Sequence, residues 1–190
     1  MSVRYFSDQK FVSIDYTKEI FQSGEYDSCQ FKNCDFQSAD LSRSHFVDCR
    51  FINCNLSLAN LTGSVWRDVL FNDCKMLGLR FDTCSPFGLS FSFENSVLNH
   101  SHFIGCSIRQ TSFRNCQMQE VEFSEADLSG AIFENCDLLN AVFDQSNLEK
   151  TDFRSAKNFI IHPERNRLKA ARFSVIGLPG LLAHTGIRID

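Results

Sequence analysis

Nine cysteines and five histidines are the residues of this 190-residue chain with the most chemistry in them. Thiolates and imidazoles bind metals and act as nucleophiles, so their spacing decides what they could do. Cys34, Cys54 and Cys74 lie twenty positions apart and would stack if the chain turned once every twenty residues, which opens a metal or redox reading. No Cys-x-x-Cys pair and no neighbouring histidine supports it. All nine (Cys29, Cys34, Cys49, Cys54, Cys74, Cys84, Cys106, Cys116 and Cys136) also fall at one phase of a five-residue period, where Ala, Ser, Val or Thr stands in other units. That reads as a small, buried, apolar residue with a free thiol. His45, His100, His102, His162 and His184 come with no nucleophile elbow, phosphate loop or metal-binding helix motif. The expectation is a protein that is not an enzyme and needs no cofactor or metal.

The period is clearest in residues 119 to 153, where Phe123, Leu128, Phe133, Leu138, Phe143, Leu148 and Phe153 follow one another at steps of five. Two positions before each stands Val121, Ala126, Ala131, Cys136, Ala141, Ser146 or Thr151. A helix turning ~100° per residue would scatter these large residues over every face. A flat strand would put consecutive ones on opposite faces. A chain that turns a corner once per unit satisfies the pattern, with the central residue and the one two before it pointing inward. The expected fold is all-β, a narrow β-solenoid filled with Phe and Leu, which leaves no interior room for a substrate.

Seventeen of the twenty phenylalanines are unit centres, leaving Phe87, Phe91 and Phe159 outside the set. Residues 1–25 carry the period weakly and read as a degenerate first coil or N-terminal cap. Residues 26–158 form the repeat, with a phase break at 84–92: Phe81 and Phe153 are 72 positions apart, fourteen fives and two over. Residues 159–190 read as a hairpin at His162–Arg165, a last incomplete coil and a tail, with Pro179 opening a helix, Gly186 ending it and Ile187 to Ile189 alternating like a strand. The N-terminus lacks an apolar signal core and no run approaches ~18 apolar residues, so a soluble, cytoplasmic protein without membrane contact is expected.

These units resemble the pentapeptide repeat family, whose consensus is A(D/N)LXX, here Ala39-Asp40-Leu41, Ala59-Asn60-Leu61 and Ala126-Asp127-Leu128. The resemblance implies a right-handed quadrilateral β-helix, here with a short C-terminal helix and strand. The tail is similar to those of the quinolone-resistance and microcin-immunity members, which implies a homodimer joined through Leu178, Leu181, Leu182, Ile187 and Ile189. It further implies a cytoplasmic DNA mimic that engages a type II topoisomerase, DNA gyrase or topoisomerase IV, as modulator or immunity factor without binding nucleic acid itself. The quinolone-resistance members carry long projecting loops, whereas the interruption here adds two residues.

Charge is unevenly spread. Residues 119 to 152 hold nine acids against Lys150 alone, net −8, while residues 156 to 190 hold two acids and six bases. Duplex DNA carries about one charge per 1.7 Å of axis, and this stretch matches it locally. Glu120, Glu122, Glu125, Asp127, Glu134, Asp137, Asp144 and Glu149 are therefore the expected partner-binding acidic face. A second reading stays open, since Glu122, Asp127 and Asp137 stand just before unit centres, where the repeat places carboxylates for turn chemistry. The alternative function is a structural or scaffolding module with an unrelated protein partner.

Overall fold

The computed structural model describes residues 4 to 188. Each five-residue unit forms one side of a square, with two inward residues and an outward pair that rounds the corner. Two positions after most centres the backbone is left-handed, a place held by 22 of the 23 non-glycine residues whose φ lies between 51° and 62°. Asn33, Asn53, Asp73 and Asn95 occupy such corners because short polar side chains tolerate that region best. The residue before the centre braces the turn. Asp40, Asp127 and Asp152 each accept the backbone N–H two positions on, at 3.0 to 3.1 Å.

Four sides close one coil, so each residue lies beside the one twenty positions later. On the first side β1 (Tyr5–Ser7), β3 (Glu25–Asp27), β5 (His45–Val47) and β7 (Val65–Arg67) pair in parallel. On the second, β2 (Lys10–Val12), β4 (Gln30–Lys32), β6 (Arg50–Ile52), β8 (Val69–Asn72), β9 (Phe91–Glu94), β10 (Ser112–Arg114) and β11 (Ile132–Glu134) do the same. The third and fourth sides are held by single bridges, such as Asp35 to Asn55 to Lys75 and His102 to Glu122 to Val142.

At the phase break the step becomes 22: Phe71 pairs with Phe93, Lys75 with Val97 and Arg80 with His102. The extra residues are taken up on the first side, where among the described residues no bridge joins β7 to the next bridged position, Ser107. Phe87 projects there, 82% exposed, and Gly88 adopts φ 80° beside the Arg67 guanidinium.

The core crosses the break without interruption. Phe11, Phe31, Phe51, Phe71, Phe93, Phe113, Phe133, Phe153 and Phe173 form one stack with ring centres 4.7 to 5.3 Å apart. Burying such rings, at ~1.5 to 3 kcal/mol each, is the main stabilising term. Phe159 stands off phase in sequence yet is buried, because the chain bulges locally to bring it in, while Phe91 points inward as the residue two before the centre Phe93, paired with Val69. The thiols stack as well. Cys34, Cys54 and Cys74 form a buried column on the third side, each S–H donating at 3.4 Å to the carbonyl 23 residues earlier. Among the described residues all nine cysteines are free and buried.

The described tail is short. α1 (Pro179–Leu182) is tied to the last full coil by the Ile161 N–H donating to the Gly180 carbonyl at 3.0 Å. A Cβ at Gly180 would lie 2.3 Å from the Phe159 carbonyl, so this approach requires glycine. The expected terminal strand is corrected: Ile187 and Arg188 have no ladder partner and carry no strand, and Ile189 lies outside the described residues.

Candidate protein-binding surfaces

The eight acids expected to form one face are spread around the rod. Asp127 and Glu149 lie on the first side, Glu134 on the second, Asp137 on the third, and Glu122 and Asp144 on the fourth, while Glu120 and Glu125 occupy corners with φ 57° and 60°. Four of them meet an arginine from a neighbouring coil. Arg109 reaches Asp127 at 2.6 Å, Arg114 reaches Glu134 at 2.9 Å, Arg165 reaches Asp144 at 3.2 Å and Arg167 reaches Glu149 at 2.8 Å. His100 Nδ1 lies 3.3 Å from Glu120.

The remaining three differ. Asp137 accepts hydrogen bonds from the amides of Gln119 and Asn158, and Glu122 from the N–H and hydroxyl of Ser124. Glu125 has no hydrogen bond or ion pair among the described residues. Partial burial works to raise the pKa of Asp127, but the Ser129 amide and hydroxyl and the Arg109 guanidinium outweigh it and leave the carboxyl below its ordinary value. Counted with its cross-coil partners, residues 109 to 172, the zone holds ten acids and nine bases and is nearly neutral.

A different acidic feature emerges in the N-terminal half. Asp8, Asp48 and Asp68 stand on one corner column with Ser28 between the first two, and all three are exposed with no cation paired to them among the described residues. Asp27 lies beside the column and accepts the Tyr5 hydroxyl at 3.0 Å. These residues are twenty or forty positions apart in sequence. Only the coil length, which the five-residue period does not reveal, brings them into line.

At the other end, the tail exposes Val175, Ile176, Leu178, Leu182 and Ile187, with Ile176 91% exposed. Leu181 packs against the core. The expected set is thus split: Leu178, Leu182 and Ile187 face solvent, Leu181 anchors the tail and Ile189 lies outside the described residues. Val175 and Ile176 are apolar surface that the helix-stop reading passed over.

Among the described residues no three His, Cys, Asp or Glu side chains are grouped to hold a metal, and no helix is long and apolar enough to cross a membrane. A surface groove of about 840 Å³ includes Tyr16, Lys18, Asp40, Arg43, Asn60 and Thr62 in its lining. It flanks the one side of the first coil that makes no bridge to the second.

Comparison with known proteins agrees with this architecture. No curated protein matches the chain. Among solved structures it is similar to full-length QnrB1, a plasmid-mediated fluoroquinolone resistance protein, at 16% identity over 97% of this chain and 100% of that one, with a TM-score of 0.63. A trypsin-treated QnrB1 variant aligns at 20% identity over 98% and 100%, with a TM-score of 0.50. HetL, a pentapeptide repeat protein involved in heterocyst differentiation regulation in the cyanobacterium Nostoc, aligns at 14% identity over 90% and 88%, with a TM-score of 0.39. At these identities the likeness is one of fold. The family model for the pentapeptide repeat region matches residues 25–103 and 81–153, and with the twenty-residue ladder behind that match the chain belongs to the pentapeptide repeat family.

Proposed function

We propose that the chain is a non-enzymatic, protein-binding rod that dimerises through its tail and engages a type II topoisomerase such as DNA gyrase. The observation that carries this reading is the full-length solenoid likeness to QnrB1, which covers 97% of this chain and 100% of that one. The exposed tail residues Val175, Ile176, Leu178, Leu182 and Ile187 supply apolar surface of the kind that homodimer interfaces bury. The Asp8, Asp48 and Asp68 column lines up carboxylates along the axis, two coils and then one coil apart, which suits a partner groove built to hold phosphates. Glu122 and Glu125 add negative charge that no arginine neutralises.

A second reading, a scaffolding module with an unrelated protein partner, is favoured by one observation. The arginine pairing of Asp127, Glu134, Asp144 and Glu149 removes most of the negative field near the tail. Supercoiling and quinolone-dependent cleavage assays with purified gyrase and topoisomerase IV separate the two. The topoisomerase reading requires inhibition or drug protection at micromolar rod. No effect in either assay leaves the scaffolding reading, whose partner would then be sought by affinity capture.

A further inference from the structure

His162 and His184 come from different parts of the chain and meet where the tail joins the rod. His162 opens the turn at Pro163–Arg165 at the end of the last full coil, and His184 sits in the 3-10 turn Ala183–Thr185 that follows α1. Their ring centres are 4.6 Å apart with the planes inclined at 49°. Neither imidazole makes a side-chain hydrogen bond among the described residues. His184 is exposed and His162 is half-buried, so solvent reaches the pair.

The separation fits a shared ion. With a metal–nitrogen bond of ~2.1 Å and a ring nitrogen about 1.1 Å from its ring centre, an ion would sit about 3.2 Å from each centroid. Vectors meeting at about 90° to 110° place the centroids about 4.5 to 5.2 Å apart, a range that contains the observed 4.6 Å. Imidazole nitrogen suits Ni(II), Cu(II) and Zn(II). Protein supplies two ligands here, since no third ligating side chain is grouped with them, and water completes the shell.

We propose that His162 and His184 form a two-histidine site for a divalent transition ion, and that the bound ion fastens the tail to the rod. Existing links between these parts are few: the Ile161 to Gly180 hydrogen bond, the Gly177 and Gly180 approach to Phe159, and the buried edge of Leu181. An ion held by one ligand from each part would bind only the docked arrangement and so stabilise it by mass action. This inference does not depend on the topoisomerase reading.

The test uses the full chain without a histidine tag, titrated with Ni(II) in a calorimeter, with hydrogen exchange of residues 175 to 186 followed in parallel. One equivalent per chain is expected, with affinity falling at least tenfold in both H162A and H184A and unchanged in H45A. Exchange in the tail should slow when Ni(II) is added to the wild type and not when it is added to H184A. Ni(II) binding that survives both substitutions overturns the site. Tail exchange indifferent to the ion overturns the fastening role.

Discussion

The guanidinium of Arg114 donates to the carboxylate of Glu134 at 2.9 Å although the two are twenty positions apart. They stand on adjacent coils in paired register, Arg114 beside Glu134 as Phe113 is beside Phe133. Charge on this rod is therefore read down columns one coil apart, and a stretch that looks acidic along the chain can be balanced by the coils on either side.

Glu134→Lys places a cation against Arg114 and should lower stability by less than ~1 kcal/mol, because both partners are about half exposed. The paired exchange Arg114→Glu with Glu134→Arg should recover that loss. Urea unfolding of the four proteins in a double-mutant cycle measures it, and a coupling of zero would show the pair to be decorative.

Phe123 is fully buried between Phe103 and Phe143, with ring centres 5.2 and 5.1 Å away. Phe123→Ala should cost about 3–5 kcal/mol, and Phe123→Leu markedly less. Because the aromatic stack is continuous, the loss should appear as a lower midpoint of one transition, measured by far-ultraviolet circular dichroism in urea.

Burial pushes the thiols of Cys49 and Cys106 up to about 12 and that of Cys84 to about 11, from an ordinary value of 9.0. In the unfolded chain these thiols ionise above pH 9 while in the rod they stay protonated. Their contribution is complete below pH 9 and is lost between pH 9 and 12. Urea midpoints should hold steady from pH 7 to 8.5 and fall by pH 10.5, and a Cys49→Ala, Cys106→Ala variant should fall less steeply. A thiol reagent should label none of the nine cysteines in the folded protein.

Leu182→Asp puts a charge on the exposed tail surface and Gly180→Ala drives a methyl into the Phe159 carbonyl. Sedimentation should give the wild type twice the 21.7 kDa chain mass and both variants the single-chain mass, with the rod's circular dichroism unchanged. A wild type that sediments as one chain removes the dimer from the proposed function.

The inward residues were legible in the sequence because a period of five leaves the core phase no alternative: Phe123, Leu128 and Cys136 are buried as their spacing requires. The side count was legible only through the family resemblance, since a period fixes the corner and is silent on how many corners close a coil. The ion pairs of Asp127 and Glu149 and the Asp48 to Asp68 column depend on that number and not on the period. Phe159 was hidden for another reason, as a local bulge shifts phase without changing which side of the wall is dry.

The gap in the ladder beside Gly88 gives the rod a mechanical direction. Among the described residues the second and third sides carry an unbroken ladder across the phase break, whereas the first side has no bridge between β7 and Ser107 and the fourth has none between Asn60 and Arg80. A beam with two continuous adjacent walls bends most readily by opening or closing the opposite pair. A partner whose groove is curved could draw this rod into register by flexing it toward one side, and the axis of that flexure is set by which two walls are interrupted.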